Sequence, residues 1–304
     1  MNEDRRGYER GGDGRRDRDP RWNRRPNSPA GVRQVATPEG QVVELDAELR
    51  AVAALKHDKT RDREGQYVVE GVRAVETLLE SSRENVIAVY EVAGIEWKRD
   101  LLGPGRDRLP LRSLTEVQMA ELSTTKTCQG LLAVAAARAL RVNWETARRV
   151  TLVDAVQDPG NLGAIFRSTA AFGFDALLLG KGTVDAWNPR VARGAAGLVA
   201  SVPFEQGHNL AGTFEFLRSK GFLIVGTSPH GKENLESLAH RLGAAPGKIE
   251  GKVAFLIGNE GAGTQQNLLD QCDVKLRISI AKGVESLNVA VAHGILCSRF
   301  SALS

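Results

Sequence analysis

The chain has 304 residues, of which 42% are hydrophobic and 26% are charged, and its formal net charge is +4. These values are typical of a globular protein, exclude a fibrous or wholly disordered one, and predict about two domains. Hydrophobic runs stay well below the roughly 18 residues of a membrane span, and no secretory signal opens the sequence, so we expect a cytoplasmic protein. The cysteines and histidines show neither disulfide-framework nor metal spacing, which predicts reduced thiols and no metal site.

The first part of the chain differs from the rest in composition. Residues 1–31 carry nine arginines against six acidic residues, a net charge of +3, with glycine and proline between them. So few apolar side chains cannot offset the chain entropy of folding, and we predict a disordered tail over residues 1–33. The tail could be a basic arm that follows a phosphate backbone, or only a solubilising segment.

Residues 42–141 form a candidate small α/β domain. Asp46 can cap a helix in which Leu49, Val52 and Leu55 recur at helical spacing. Short apolar or β-branched runs alternate with helical patterns farther along. The predicted strands are 66–71, 86–92 and 130–136, and the predicted helices are 72–79 and 115–122.

Residues 148–304 form a second candidate domain. Five apolar strands are predicted, at 150–154, 176–179, 222–227, 255–257 and 274–278, the fourth of which ends in a glycine loop at 258–263. Helices are predicted between and after them, at 161–172, 190–199, 214–219 and 287–300. Continuous apolar strands alternating with helices are typical of a parallel sheet that is covered on both faces. In such sheets ligands bind beyond the carboxyl ends of the strands.

Polar residues stand at these strand ends and helix starts: Asn161 with Arg167, Glu260 in a glycine loop, and Ser286 with Asn288. Together they indicate a candidate site. Each also has a simpler interpretation, because Asn161 and Ser286 could be helix caps, Glu260 a turn residue and Arg167 a solvated arginine. The glycine loop matches neither a Walker loop nor a dinucleotide fingerprint, so neither of those functions is supported.

Three motifs contain these residues, at 161–170 (NLGAIFRSTA), 257–263 (IGNEGAG) and 286–292 (SLNVAVA). In order and spacing they resemble the motifs of the SpoU/TrmH family, the RNA ribose 2′-O-methyltransferases of the SPOUT superfamily. Upstream, residues 67–71 (YVVEG) and 127–134 (TCQGLLAV) resemble the substrate-binding domain often fused to these enzymes, a fold related to kink-turn-binding ribosomal proteins.

The resemblance implies a C-terminal domain with a deep trefoil knot, S-adenosylmethionine as cofactor, and a homodimer that shares its active site. The cofactor contacts that it implies are Gly258, Ile278 and Leu287, with Thr227 as a further lining residue. One departure lies in this region. Ser279 follows Ile278 where the family usually has proline, and Lys282 precedes the glycine, which bears on the rigidity of the cofactor loop.

The resemblance also places Arg167 at the reacting ribose, beside the adjoining phosphate. The residues that it implies as orienting Arg167 and shaping the loops are Asn161, Glu260, Ser286 and Asn288. A guanidinium is almost always protonated, so we assign Arg167 to stabilising the developing alkoxide rather than to removing the proton.

Three functional hypotheses follow. The first is a ribose 2′-O-methyltransferase whose substrate is ribosomal RNA, with transfer RNA as the alternative. The second is a non-catalytic RNA-binding protein that retains the fold. The third, a knotted enzyme that methylates a base, would require base-specific pocket groups, and the sequence identifies none.

Overall fold

The computed structural model describes residues 33–36, 42–125, 127–244, 249–259 and 263–301. The predicted tail lies outside this part of the chain, except that Arg33 begins the first strand, β1. Glu260 also lies outside the described residues.

The N-terminal half contains a small mixed sheet with helices packed against it. Its elements are β1 (Arg33–Ala36), β2 (Val42–Leu45), α1 (Ala47–Ala54), α2 (Asp58–Glu64), β3 (Gln66–Glu70), α3 (Val72–Ser82), β4 (Val86–Val92), β5 (Leu111–Leu114), α4 (Glu116–Leu122) and β6 (Leu131–Ala136). Asp46 caps α1 by accepting from the Leu49 amide at 3.0 Å, as the sequence predicts. Strands β3, β6, β4 and β5 lie side by side in that order, and only the β4–β5 pair is parallel.

The C-terminal half contains a larger sheet. Its elements are β7 (Arg149–Val153), α5 (Pro159–Ala171), β8 (Ala176–Gly180), α6 (Pro189–Gly194), β9 (Phe204–His208), α7 (Leu210–Ser219), β10 (Phe222–Thr227), β11 (Glu233–Asn234), α8 (Leu235–Arg241), β12 (Lys252–Ile257), α9 (Gln266–Leu269), β13 (Val274–Arg277) and α10 (Val289–Arg299). The strand order is β11-β13-β10-β12-β7-β8-β9, and every pair is parallel.

The prediction of a parallel sheet is confirmed, but the number of strands was wrong. The five predicted strands are present, and β9 and β11 lie at the two edges. Three of the five residues of β9 are exposed, and β11 has only two residues. An edge strand has one side open to solvent, so it needs no continuous apolar run, and the apolar pattern could not reveal it. The knot stays a prediction.

The helix predicted at 190–199 is shorter than expected, because α6 ends at Gly194. Ala196 and Gly197 follow with positive φ angles of 51° and 86°, which right-handed helical residues do not adopt. A Cβ at Gly197 would lie 2.1 Å from the Ala74 carbonyl oxygen, so only glycine allows α3 to approach this turn.

One cluster of buried hydrophobic residues spans both halves, and each half has a further cluster of its own. Tyr67 and Trp187 come from different halves, and their ring centroids are 4.7 Å apart. Arg61, which is 3% exposed, forms an ion pair with Asp185 at 2.6 Å across the same boundary. Separating the halves would expose the aromatic pair and leave a buried arginine without its carboxylate, so we expect them to stay docked.

Candidate active site

A cavity of about 560 Å³ lies beyond the carboxyl ends of β10 and β13. Its walls are residues 227–229, residues 276–287 and Ala292. The loop between β13 and α10 therefore forms most of it. The volume falls within the roughly 300–1,000 Å³ typical of small-molecule sites. The sequence predicted a ligand site at this edge of the sheet.

Three of the four predicted cofactor residues line this cavity. Ile278 and Leu287 are half-buried and supply apolar surface, and Thr227 donates its hydroxyl to the Leu256 carbonyl oxygen at 3.1 Å. Gly258 is buried and, among the described residues, is not part of the wall. A Cβ there would lie 2.1 Å from the Thr264 amide nitrogen, so glycine is required for the loop to fold back over β12.

The first and third motifs meet through two asparagines. The Asn288 side-chain amide donates to the Asn161 Oδ1 atom at 2.9 Å. Asn288 also caps α10, because its Oδ1 accepts from the Ala290 and Val291 amides. The cap thus fixes which end of the Asn288 amide faces Asn161. These two residues are 127 positions apart, and this contact joins α5 to the cavity loop.

The helix caps differ from the simpler interpretations of the sequence. Helix α5 begins at Pro159, and its cap is Asp158, which accepts from the Asn161 amide at 2.8 Å. Asn161 therefore lies inside the first turn and is not the cap. The cap of α10 is Asn288 and not Ser286. The helix thus begins two residues before the predicted start at 161, because proline suits the first helical position.

Arg167 lies in the third turn of α5 and is exposed. Within the described part of the chain its guanidinium has no hydrogen bond or ion pair. Ser286 is also exposed and belongs to the cavity wall. An exposed arginine without an internal partner remains available to an external anion. The structure thus joins Asn161 to Asn288 and places Ser286 in the cavity wall two residues before Asn288, while Arg167 lies six residues after Asn161 on the same helix.

A buried carboxylate holds the loop after β12. Asp154, which is 2% exposed, accepts from the Gln265 amide at 2.9 Å and from its side chain at 2.7 Å. Asn259 donates to the carbonyl oxygen of Ala155 at 2.8 Å, and Ala155 has a φ of 53°. Backbone in this region costs free energy for a non-glycine residue and is often found at functional sites. Our sequence analysis missed this clamp, although an acid directly after an apolar strand was a usable signal.

A second buried polar group, His293, holds α10 against the sheet and α5. His293 is fully buried, with Nε2 3.0 Å from the Thr151 hydroxyl and Nδ1 2.8 Å from the Ser168 hydroxyl. Burial lowers the pKa of His293 to about 3, so the ring is neutral near neutral pH. A lone histidine in an apolar helix gives no sequence signal for such a network. The contacts tie α10 to β7 and α5, next to Arg167.

Two absences apply to the described part of the chain. No group of three or more His, Cys, Asp or Glu side chains is placed to hold a metal ion there. None of the helices described is long and apolar enough to cross a membrane. The wall of the cavity combines apolar residues and hydroxyl groups with the charged residues Arg277, Lys282 and Glu285.

Comparison with known families gives two matches. A model described as the SpoU rRNA Methylase family matches residues 148–298. A model described as an MRM3-like substrate binding domain matches residues 46–133. The matches fall on the two halves that carry the two sheets.

Curated relatives match over most of their length. The 23S rRNA (guanosine(2553)-2′-O)-methyltransferase RlmP of Bacillus subtilis is 32% identical over 246 residues, covering 78% of this chain and 89% of the relative. The 23S rRNA (guanosine-2′-O-)-methyltransferase RlmB of Coxiella burnetii is 29% identical, covering 74% and 91%.

Solved structures agree. A protein of the TrmH family from Porphyromonas gingivalis superposes with a TM-score of 0.69 at 27% identity, covering 85% of this chain and 99% of that one. The SpoU methyltransferase AviRb of Streptomyces viridochromogenes, solved with S-adenosylmethionine, gives 0.69 at 24% identity over 84% and 97%. The second likeness is one of fold.

Proposed function

This chain belongs to the SpoU rRNA methylase family, and from that premise we propose that it transfers a methyl group from S-adenosylmethionine to a ribose 2′-hydroxyl of ribosomal RNA. The observation that carries the proposal is the Asn288–Asn161 hydrogen bond, which joins the cavity loop to the helix that bears Arg167. The relatives named as 23S rRNA 2′-O-methyltransferases support the choice of ribosomal RNA.

The cavity fits the cofactor by size and chemistry. Ile278 and Leu287 offer apolar surface to an adenine ring, and backbone groups of the same loop can bond its polar edge. Thr227 adds a hydroxyl at the end of β10. When bound, S-adenosylmethionine supplies an electrophilic methyl group. The described residues therefore need only hold two reactants in line and stabilise charge.

Arg167 has the role that its environment allows. Its positively charged guanidinium is exposed and has no internal partner among the described residues. It can therefore bind the phosphate beside the target ribose and stabilise the negative charge that develops on the 2′-oxygen. Asn161 and Asn288 position this helix against the cavity loop, and we assign Ser286 and Glu260 to shaping the surrounding loops.

We further propose that the protein works as a homodimer in the cytoplasm. Of the five large hydrophobic residues that are conspicuously exposed in the described part of the chain, Ile280, Val284 and Val291 fall in the cavity loop and α10. An apolar patch beside a ligand cavity is typical of a surface that a partner covers. A second copy at this position would complete the site from outside.

The proposal is tested by mapping 2′-O-methylated positions in ribosomal and transfer RNA from cells with and without this protein. The expected result is the loss of a ribosomal site when the protein is absent. If a methylated position were lost only from transfer RNA, transfer RNA would be the substrate instead of ribosomal RNA. If no ribose lost its methyl group, the proposed activity would be contradicted.

A further inference from the structure

A groove lies on the boundary between the two halves, away from the cofactor cavity. It consists of two adjoining cavities of about 460 Å³ and 500 Å³, both of which include Thr125 in their walls. One side comes from the loop before β6 and the start of α3, and the other from α6. We call this surface the interdomain groove. None of the residues assigned to methyl transfer lines it.

The interdomain groove is positively charged. Arg73, Arg190 and Arg193 line it and are exposed, and within the described residues they form no hydrogen bond or ion pair through their side chains. Lys56 lines it too, with its ammonium donating to the Glu121 carbonyl oxygen at 2.6 Å. Three unpaired guanidinium groups around one concave surface favour an anionic ligand.

Among the described residues that line the interdomain groove, only one is acidic, and its carboxylate is hydrogen-bonded within the protein. Glu70 is 2% exposed and accepts from the Ser123 hydroxyl, from the Thr124 amide at 2.9 Å and from the Thr125 hydroxyl at 2.7 Å. Burial raises the pKa of Glu70, but these hydrogen bonds outweigh it, and the net shift is downward. The buried carboxylate therefore holds the 123–125 loop in place and adds little negative charge to the surface of the groove.

One wall of the interdomain groove, α6, packs directly against α5, the helix that carries Arg167. Helix α6 carries Arg190 and Arg193, and it packs on α5 through glycines. A Cβ on Gly163 would lie 2.7 Å from the Gly194 Cα atom, so the two helix backbones are in direct contact. The Arg61–Asp185 ion pair and the Tyr67–Trp187 contact join the N-terminal half to the segment that precedes α6.

From these observations we propose that the interdomain groove binds the sugar–phosphate backbone of the RNA substrate, at a position separate from the reacting ribose. The identity of the ligand as RNA rests on the proposed function. Arginine matches phosphate through its planar fork, and threonine and glutamine side chains such as Thr127 and Gln129 commonly contact phosphate and sugar. Both halves supply residues, so the docked arrangement of the two halves sets the direction in which the RNA approaches α5.

The experiment compares two triple variants of the full chain with equal loss of charge. Arg73→Ala/Arg190→Ala/Arg193→Ala removes the three unpaired guanidinium groups from the interdomain groove. The control Arg106→Ala/Arg108→Ala/Arg138→Ala removes three arginines that are also exposed, have no side-chain partner among the described residues and lie outside both cavities. Binding of an unmodified 23S ribosomal RNA transcript is measured over a range of salt concentrations, together with binding of S-adenosylmethionine and methyl transfer.

The groove variant is expected to bind the transcript about tenfold or more weakly than the wild type, with the slope of log K against log salt reduced by about 3, one for each lost phosphate contact. Its affinity for S-adenosylmethionine should stay within twofold of the wild type. The control variant should retain most of the affinity and slope. Equal effects of the two variants, or an unchanged slope in the groove variant, would overturn the proposal.

The same experiment separates the two proposals. If the wild-type protein binds the transcript through the groove but methylates no ribose, the proposed function fails and the groove survives. If the groove variant binds and methylates the transcript like the wild type, the groove fails while the proposed function stands.

Discussion

The exposed edge of the active site and the layer beneath it are built differently. Arg167 and Ser286 are exposed, and Arg167 has no internal partner in the described part of the chain. Asp154 and His293 are buried, Asp154 with two hydrogen bonds from Gln265 and His293 with one each to Thr151 and Ser168. Side chains for the chemistry are thus left free for a ligand, whereas the groups that position them contribute to the stability. Variants on the two sides should therefore fail in different assays.

The largest expected effect is that of Arg167→Ala on the exposed side. Methyl transfer should fall by about 10²–10³-fold, the size found when a group that stabilises transition-state charge is removed. The free energy of unfolding should change by no more than about 0.5 kcal/mol, because no internal contact is lost. Single-turnover kinetics and thermal unfolding measure the two. Arg138→Ala, equally exposed, is the matched control, and near-normal turnover in Arg167→Ala would remove this residue from the mechanism.

Asp154→Ala tests the buried side. It leaves the Gln265 amide and side chain without their acceptor, so we expect a loss of about 1–3 kcal/mol in the free energy of unfolding. Methyl transfer should also fall, because the loop that begins at Gly258 is no longer held. Asp270→Ala, which removes an exposed carboxylate bonded to Lys275 at 2.7 Å, should cost clearly less, because exposed ion pairs contribute little to stability. Similar losses in chemical denaturation of the two variants would refute the clamp.

His293 makes the buried side sensitive to pH. In the unfolded chain the histidine takes up a proton near pH 6.5, but in the folded chain the pKa is lowered to about 3. The unfolded state therefore binds more protons between these values, and stability falls as the pH is lowered through this range. Between pH 7 and pH 5 the wild type should lose about 2 kcal/mol more than His293→Gln. Parallel stability curves for the two proteins would show that the ring is already charged or accessible.

Asn161 is partly buried and lies between the exposed edge of the site and the buried layer. Its substitution should have the smallest effect on methyl transfer. Asn161→Ala removes the acceptor for the Asn288 side chain, a partly exposed hydrogen bond that is worth about 0.5–1.5 kcal/mol. We expect methyl transfer to fall by roughly two- to tenfold. Asn161→Asp keeps an oxygen at the acceptor position and should recover most of the loss. Equal rates for the alanine variant and the wild type would show that this contact does not position α5.

The sequence predicted the strands and the location of this site better than the buried residues that hold its loops and helices in place. Apolar runs predicted the inner strands, and a site at their carboxyl ends followed from the parallel arrangement. The edge strands β9 and β11 escaped because they lack an apolar run. The start of α5 was misplaced because Asp158-Pro159-Gly160 also has the composition of a turn, and only the Asp158–Asn161 hydrogen bond decides between the two.

The buried supports could not be predicted from spacing. The Thr151–His293 contact joins residues 142 positions apart, and the Asp154–Gln265 contact joins residues 111 apart. Neither pair has a local pattern, because such contacts depend on how strands and helices pack in three dimensions. The interdomain groove was missed for the same reason, since its arginines come from separate halves of the chain and only docking brings them together.

The most direct test of the account is methyl transfer by the purified protein to an unmodified 23S ribosomal RNA transcript with isotopically labelled S-adenosylmethionine, followed by digestion and mass spectrometry of the nucleosides. The account predicts label on a ribose 2′-oxygen with the wild type, and at most about one hundredth of that rate with Arg167→Ala, although both bind the cofactor. Label on a base, or equal transfer by the two proteins, would contradict it.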